Sequence, residues 1–181
     1  RENADAVLLA GDVPDSDQTF LEAYGVLYRG VEKLRSAEIP LVAVAGNHDT
    51  RILPELANAI NDQNAFRLLG QGGNWESAYI ECQDGQNVRI VGWSFPSTSY
   101  HGNALENMEG IGDDPPAKVI GMLHADRDGA AASSYAPVSS AALEAVPGIE
   151  LWILGHIHRP DPLQDSPRHF YTRSLQALDP T

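Results

Sequence analysis

Leu151-Trp152-Ile153-Leu154-Gly155-His156-Ile157-His158 is the stretch that decides how this chain folds. Four apolar residues run into a glycine, and two histidines follow, one residue apart. A short apolar run ending in Gly reads as a buried strand passing into a loop. The same pattern recurs on moving outward. Ala6 to Ala10 leads into Gly11-Asp12-Val13-Pro14-Asp15, and Leu41 to Ala45 leads into Gly46-Asn47-His48-Asp49. A fourth run, Val119 to Leu123, ends in His124. Asp, Asn or His therefore stands at each strand end, where open α/β sheets bind ligands.

The residue types suit a two-metal hydrolytic site. A carboxylate such as Asp12 can bridge two cations. Asn47, His124, His156 and His158 supply neutral donors, which leave the ions more Lewis-acidic than a purely carboxylate set would. In such sites the ions lie roughly 3.5–4 Å apart and lower the pKa of a bound water toward ~7. Imidazole mixed with carboxylate favours manganese, with iron or zinc as alternatives, over calcium. A single His at a strand end is usually structural; several donors at matching strand ends are not single.

The rest of the chain supplies a frame for these ends. Thr19 to Ala37 has Phe20, Leu21, Tyr24, Leu27, Tyr28, Val31 and Leu34 at helical spacing, which predicts one face packed on a sheet. Followed by Leu41 to Ala45, it makes a βαβ unit. Leu53 to Ile60 and Val138 to Val146 read as short helices. Phe66 to Leu69, Glu76 to Cys82 and Val88 to Trp93 read as strands, the last two joined by a turn at Asp84-Gly85. Ser94 to Pro116, rich in Gly, Pro, Ser and Asn, reads as a long surface loop with one helical turn near Leu105.

At 181 residues the chain is one domain, able to bury a proper core. No apolar run approaches the ~20 residues of a membrane span. The lone Cys82 excludes an intramolecular disulfide and fits a reducing cytoplasm. Net charge is −13, from 12 Lys+Arg against 25 Asp+Glu. That balance opposes binding of a polyanion, which normally rests on basic contacts to phosphate. An acidic, lysine-poor surface suits a high-salt setting, where screening shortens repulsion.

GDVPD, GNHD, GMLH and GHIH, in that order, resemble the calcineurin-like metallophosphoesterase superfamily. SSYAPVS (Ser133 to Ser139), LGHIHRP (Leu154 to Pro160) and YTRSLQALDP (Tyr171 to Pro180) resemble the SbcD-like DNA-repair exonuclease branch. The resemblance implies an α/β (α+β) domain over residues 1–181, a four-layer αββα sandwich of two facing mixed sheets. It implies Asp12 as the bridging aspartate, and Asn47, His124 and His156 as the other ligands of the second metal. It implies His158 as a ligand of the first metal, His48 as the group that positions the scissile phosphate and protonates the leaving oxygen, and Asp49 as the carboxylate that orients His48. The family's Asp-x-His motif, which completes the first metal site, does not precede Asp12. The chain is therefore expected to lack the first strand, and also a carboxyl-terminal capping region. Arg173 stands where the family usually has Gly.

The function expected from the resemblance is hydrolysis of DNA phosphodiester bonds, using two divalent ions, manganese first. The implied partners are DNA and an SbcC-like ATPase subunit, with a homodimer as a further expectation and no membrane. Two alternatives stay open: hydrolysis of small phosphodiesters, and a catalytically weak DNA-end-binding scaffold. Arg51, Arg127 and Arg159 each follow a ligand motif and are expected at the pocket rim, where guanidinium forks suit phosphate. Asp15 is expected to cap the following turn or helix, with Asp15 and Asp17 as further ligands the alternative. His101 and His169 are expected in surface or loop roles, Trp93 and Trp152 in the core, and Trp75 at a sheet edge. Trp75 and Tyr100 are also candidates for stacking on a nucleobase.

Overall fold

A computed structural model of the protein describes residues 4–14, 20–108, 118–130, 132–159, 161 and 168–172. Strands β1 (Val7–Leu9), β2 (Leu41–Ala43) and β3 (Phe66–Leu68) form a parallel sheet in that order. Strands β4 (Trp75–Glu81), β5 (Asn87–Trp93), β6 (Lys118–His124), β7 (Leu151–Gly155) and β8 (His169–Tyr171) form a second, mixed sheet. Its β4–β5 pair is an antiparallel hairpin and the other pairings are parallel. The hairpin turns at Asp84-Gly85: Gly85 takes φ 79° and donates its N–H to Cys82 O at 2.9 Å.

Three apolar layers hold the two sheets and their helices together. Ala10, Val42, Val44 and Leu69 of the parallel sheet meet Ala78, Ile90, Met122 and Ile153 of the mixed sheet. Helices α1 (Phe20–Ser36) and α2 (Ile52–Ile60) cover the outer face of the parallel sheet. On α1 the stripe toward that sheet is Tyr24, Leu27, Val31 and Leu34, while Tyr28 is exposed. α2 buries Ile52, Leu53 and Leu56 and stops at Asn61, whose left-handed backbone lets its N–H reach Ala57 O. Beyond the mixed sheet lie α3 (Ser140–Ala145) and the 94–108 segment. This is the four-layer sandwich the sequence implied, with the smaller sheet parallel throughout its described pairings.

Two local differences from the sequence reading have physical causes. α3 starts two residues later than expected. Ser139 caps it by accepting a hydrogen bond from Ala142 N, and Val138 forms a β-bridge with Arg127 instead. The turn near Leu105 is 3₁₀, Ala104–Asn107, capped by the Asn103 side chain. Trp93 and Trp152 are buried, and Trp75 sits on edge strand β4, with its indole N–H on Ala104 O. No helix among the described residues is long and apolar enough to cross a membrane. Asp15, Asp17, Pro160 and Arg173 lie outside the described residues.

The two sheets converge at the carboxyl ends of β1, β2, β6 and β7. Phe95 N–H donates to Ala45 O, and the Ser94 hydroxyl bridges Ala45 N–H and Leu69 O. The His124 ring Nδ1 reaches Ala10 O at 2.9 Å, tying β6 to the end of β1. A groove of about 760 Å³ opens at the opposite end, lined by residues such as Pro40, Arg67 and Ile80. It gathers no set of metal donors, so its volume does not mark the chemistry.

Candidate metal centre

Three strand ends deliver donors to one place. Ligand atoms of Asp12, His124 and His156 all lie within 4.8 Å of one another. Each arrives on a constrained backbone. Asp12 and His156 adopt positive φ, 52° and 103°, which costs a non-glycine residue of order 1–3 kcal/mol. The preceding glycines allow the approach. A Cβ on Gly11 would stand 2.6 Å from the His124 ring, and one on Gly155 2.7 Å from it. A Cβ on Gly46 would run into the Asp12 carboxylate and His124. Three glycines from three loops therefore close around the His124 imidazole.

The polar accounting shows what is missing. A carbonyl only accepts, so the contact with Ala10 O places a hydrogen on His124 Nδ1. That leaves Nε2 toward Asp12 Oδ2, 3.0 Å away. No hydrogen-bond geometry joins them: Nε2 is buried without a partner, and so is Oδ1 of Asn47, which is itself 4% exposed. His124 Nε2 is thus the ring nitrogen nearest Asp12, while the carbonyl contact at Nδ1 holds the ring in place. Buried acceptors without donors are costly unless something electropositive lies between them. The carboxylate and two imidazoles brought together here fit a divalent transition ion.

Burial pushes the His156 imidazole down to about 4, leaving it neutral at neutral pH with one ring nitrogen's lone pair available.

Asp49 does a different job from the one expected. It is fully buried, and its two oxygens accept from Val13 N–H at 3.0 Å and Gly46 N–H at 2.6 Å. It ties the loop carrying Asp12 to the loop carrying Asn47; its described hydrogen bonds do not include the His48 ring. Burial pushes its carboxyl up to about 6, against the pull of the Val13 N–H. His48 is exposed, and its backbone N–H donates to Asp12 Oδ1 at 2.9 Å. Its imidazole is thus presented outward beside the donors. His158 is also exposed and lies outside the three-residue group.

Arg127, expected at the pocket rim, is engaged by other side chains. Its guanidinium forms a two-pronged pair with Asp161, at 2.8 and 2.9 Å, and lies over the Tyr171 ring. It also donates to Nδ1 of His169, which faces Glu144 through Nε2 at 3.3 Å. The hydrogen bond with Asp161 raises the Arg127 pKa. His169 is therefore a strand residue in a polar network, not a loop residue. Arg51 and Arg159 are exposed on the loops after Asp49 and His158, and His101 is exposed as expected. The sequence reading missed Tyr135, whose ring packs on His156 at a centroid distance of 4.8 Å. Its only signal was its place in SSYAPVS.

Residues 1–160 match the calcineurin-like phosphoesterases. The chain belongs to that family. It is also similar to the "Uncharacterized metallophosphoesterase YhaO" of Bacillus subtilis (strain 168), at 28% identity over 180 residues, 98% of this chain. The chain spans 42% of that relative's length. The calcineurin-like phosphoesterases are a group of metal-dependent hydrolases, and Asp12, His124 and His156 form the candidate metal site of this chain.

Proposed function

We propose that the protein hydrolyses phosphodiester bonds, with DNA ends as its substrate in the manner of the SbcD-like nucleases it resembles. The observation that carries the hydrolytic part is the gathering of Asp12, His124 and His156 ligand atoms within 4.8 Å of one another, with Asn47 Oδ1 and His124 Nε2 buried and without a hydrogen-bond partner among the described residues. Asp12, Asn47, His124 and His156 would hold one divalent ion, and Asp12 with His158 would contribute to a second. Bound ions would supply Lewis acidity and a more acidic water, with manganese the first candidate. His48, exposed beside the donors, contacts the phosphate and gives a proton to the leaving oxygen. Asp49 acts from below by fixing the two ligand loops. The DNA part rests on the SSYAPVS and LGHIHRP stretches; an SbcC-like ATPase partner and a homodimer belong to the same reading.

One observation favours a second reading, a small phosphodiester. Arg127 is engaged with Asp161, and the chain carries −13 charge, so few cations remain to follow a polyanion. Parallel assays with manganese, on linear duplex DNA and on a small chromogenic phosphodiester, separate the two. Faster release of nucleotides from DNA ends supports the nuclease. Turnover of the small ester alone overturns it, and binding of DNA ends with turnover of neither substrate points to the scaffold alternative.

A further inference from the structure

A metal-binding histidine almost always donates its other ring N–H to a carboxylate, carbonyl or water, which fixes the ring's orientation. His124 follows that rule through Ala10 O. His156 does not: no hydrogen bond from a described residue reaches either nitrogen of its ring. Its backbone is also strained, at φ 103°. Among the described residues, two aromatic rings are what its imidazole packs against.

Two rings flank it. His124 meets it edge to face, with centroids 5.3 Å apart and an interplanar angle of 72°. Tyr135 lies against it at 4.8 Å and 35°, within the range of a favourable aromatic pair. Tyr135 is itself held firmly. Its carbonyl accepts from Asp126 N–H at 2.8 Å, two residues past His124. A parallel bridge pairs it with Tyr100, and Ala136 N–H donates to Tyr100 O at 2.8 Å. Ala136 is fully buried at φ 48° and precedes Pro137, which disfavours the right-handed helical alternative. The backbone on both sides of Tyr135 is thus pinned to segments that also carry the site. Yet Tyr135 is 38% exposed, far more than a ring placed only to fill the core.

We infer that Tyr135 is the positioning residue for His156, its ring taking the place of the missing hydrogen bond. The contact is ring against ring, tilted by 35°, so the ring and not the hydroxyl carries the function. Removing it frees the His156 side chain to rotate about its strained backbone, and the donor leaves the position shared with Asp12 and His124. The inference rests on the metal reading above.

Zinc titration by calorimetry compares wild type, Tyr135→Phe, Tyr135→Leu, Tyr135→Ala and His156→Ala, alongside NMR of the His156 ring protons in the metal-free protein. Tyr135→Phe binds as wild type does. Tyr135→Ala and Tyr135→Leu bind about 10–100-fold more weakly, as expected for loss of a group that orients a ligand. Their unfolding midpoints stay near wild type, and Tyr135→Leu preserves bulk if Tyr135→Ala folds poorly. The His156 resonances lose their ring-current shift in both but keep it in Tyr135→Phe. Wild-type affinity in Tyr135→Ala and Tyr135→Leu, with weakened binding in His156→Ala, overturns this inference alone. Equal weakening in Tyr135→Phe also overturns it, by assigning the effect to the hydroxyl. His156→Ala binding zinc as wild type does overturns the metal reading and this inference together.

Discussion

Two clusters of polar side chains stand at strand ends in this molecule, and they are finished differently. Around Arg127, nearly every group has its complement: Asp161 meets the guanidinium with both oxygens, Tyr171 accepts from Arg127 N–H and lies close to Ala125 O, and His169 sits between Arg127 and Glu144. The group left over is a donor, Arg127 Nε, 3.9 Å from Asp128. At the other strand ends, Asn47 Oδ1 and His124 Nε2 are buried without a hydrogen-bond partner among the described residues, the latter 3.0 Å from the Asp12 carboxylate. A closed network stabilises a fold by itself. A cluster of unmatched acceptors is arranged for a cation that the polypeptide does not provide.

If that contrast is right, substitutions in the two clusters have different signatures. The largest effect is on metal loading. His124→Ala and Asn47→Ala weaken binding of manganese or zinc by more than the about 10–100-fold typical of changes acting through a ligand's neighbours. Calorimetry or metal analysis after dialysis reads this out, and retention of wild-type loading in both breaks the comparison. Next is His48→Ala, which keeps the metal and loses about 10²–10⁴-fold in phosphodiester turnover, the usual worth of proton transfer from a side chain. Loss of metal in that variant would instead move His48 into the ligand set.

In the closed cluster the effect falls on stability. Arg127→Ala leaves Asp161 short of its partner in a mostly buried place and costs about 1–3 kcal/mol in denaturant unfolding, with metal affinity little changed. The smallest effect is a pH dependence. The hydrogen bond from Arg127 holds the Asp161 carboxyl below its ordinary value. A depressed carboxylate pKa adds stability that is present above the unfolded value of about 4 and is lost as pH falls through the folded value. Asp161→Asn is therefore less stable than wild type at neutral pH, and the gap narrows below about pH 4. A gap constant with pH would deny the pairing its electrostatic part.

The same contrast explains what could be seen in the sequence. Gly-Asp, Gly-Asn and Gly-His at the ends of apolar runs are local patterns, so those strand ends and the meeting of Asp12, His124 and His156 were legible, while strand β8, without such a pattern, was not. The Asp84-Gly85 hairpin and the α1 stripe are local in the same sense. What escaped depends on distant partners. Arg127 looked available because Asp161, 34 residues on, carries no signal of pairing with it. Asp49 looked like a neighbour's helper because its contact with Val13 N spans 36 residues. Tyr135 meets His156 only after both loops have closed. Tyr28 was placed on the buried stripe of α1 by spacing alone, yet it is 37% exposed, because the parallel sheet beneath covers a narrower face than the apolar pattern offers.

The most direct measurement is anomalous scattering from crystals of the protein soaked in manganese. The account predicts a peak within bonding distance of Asp12, Asn47 Oδ1, His124 Nε2 and His156, with the Arg127–Asp161 pair unchanged. No peak there, or a peak only elsewhere on the acidic surface, would contradict it.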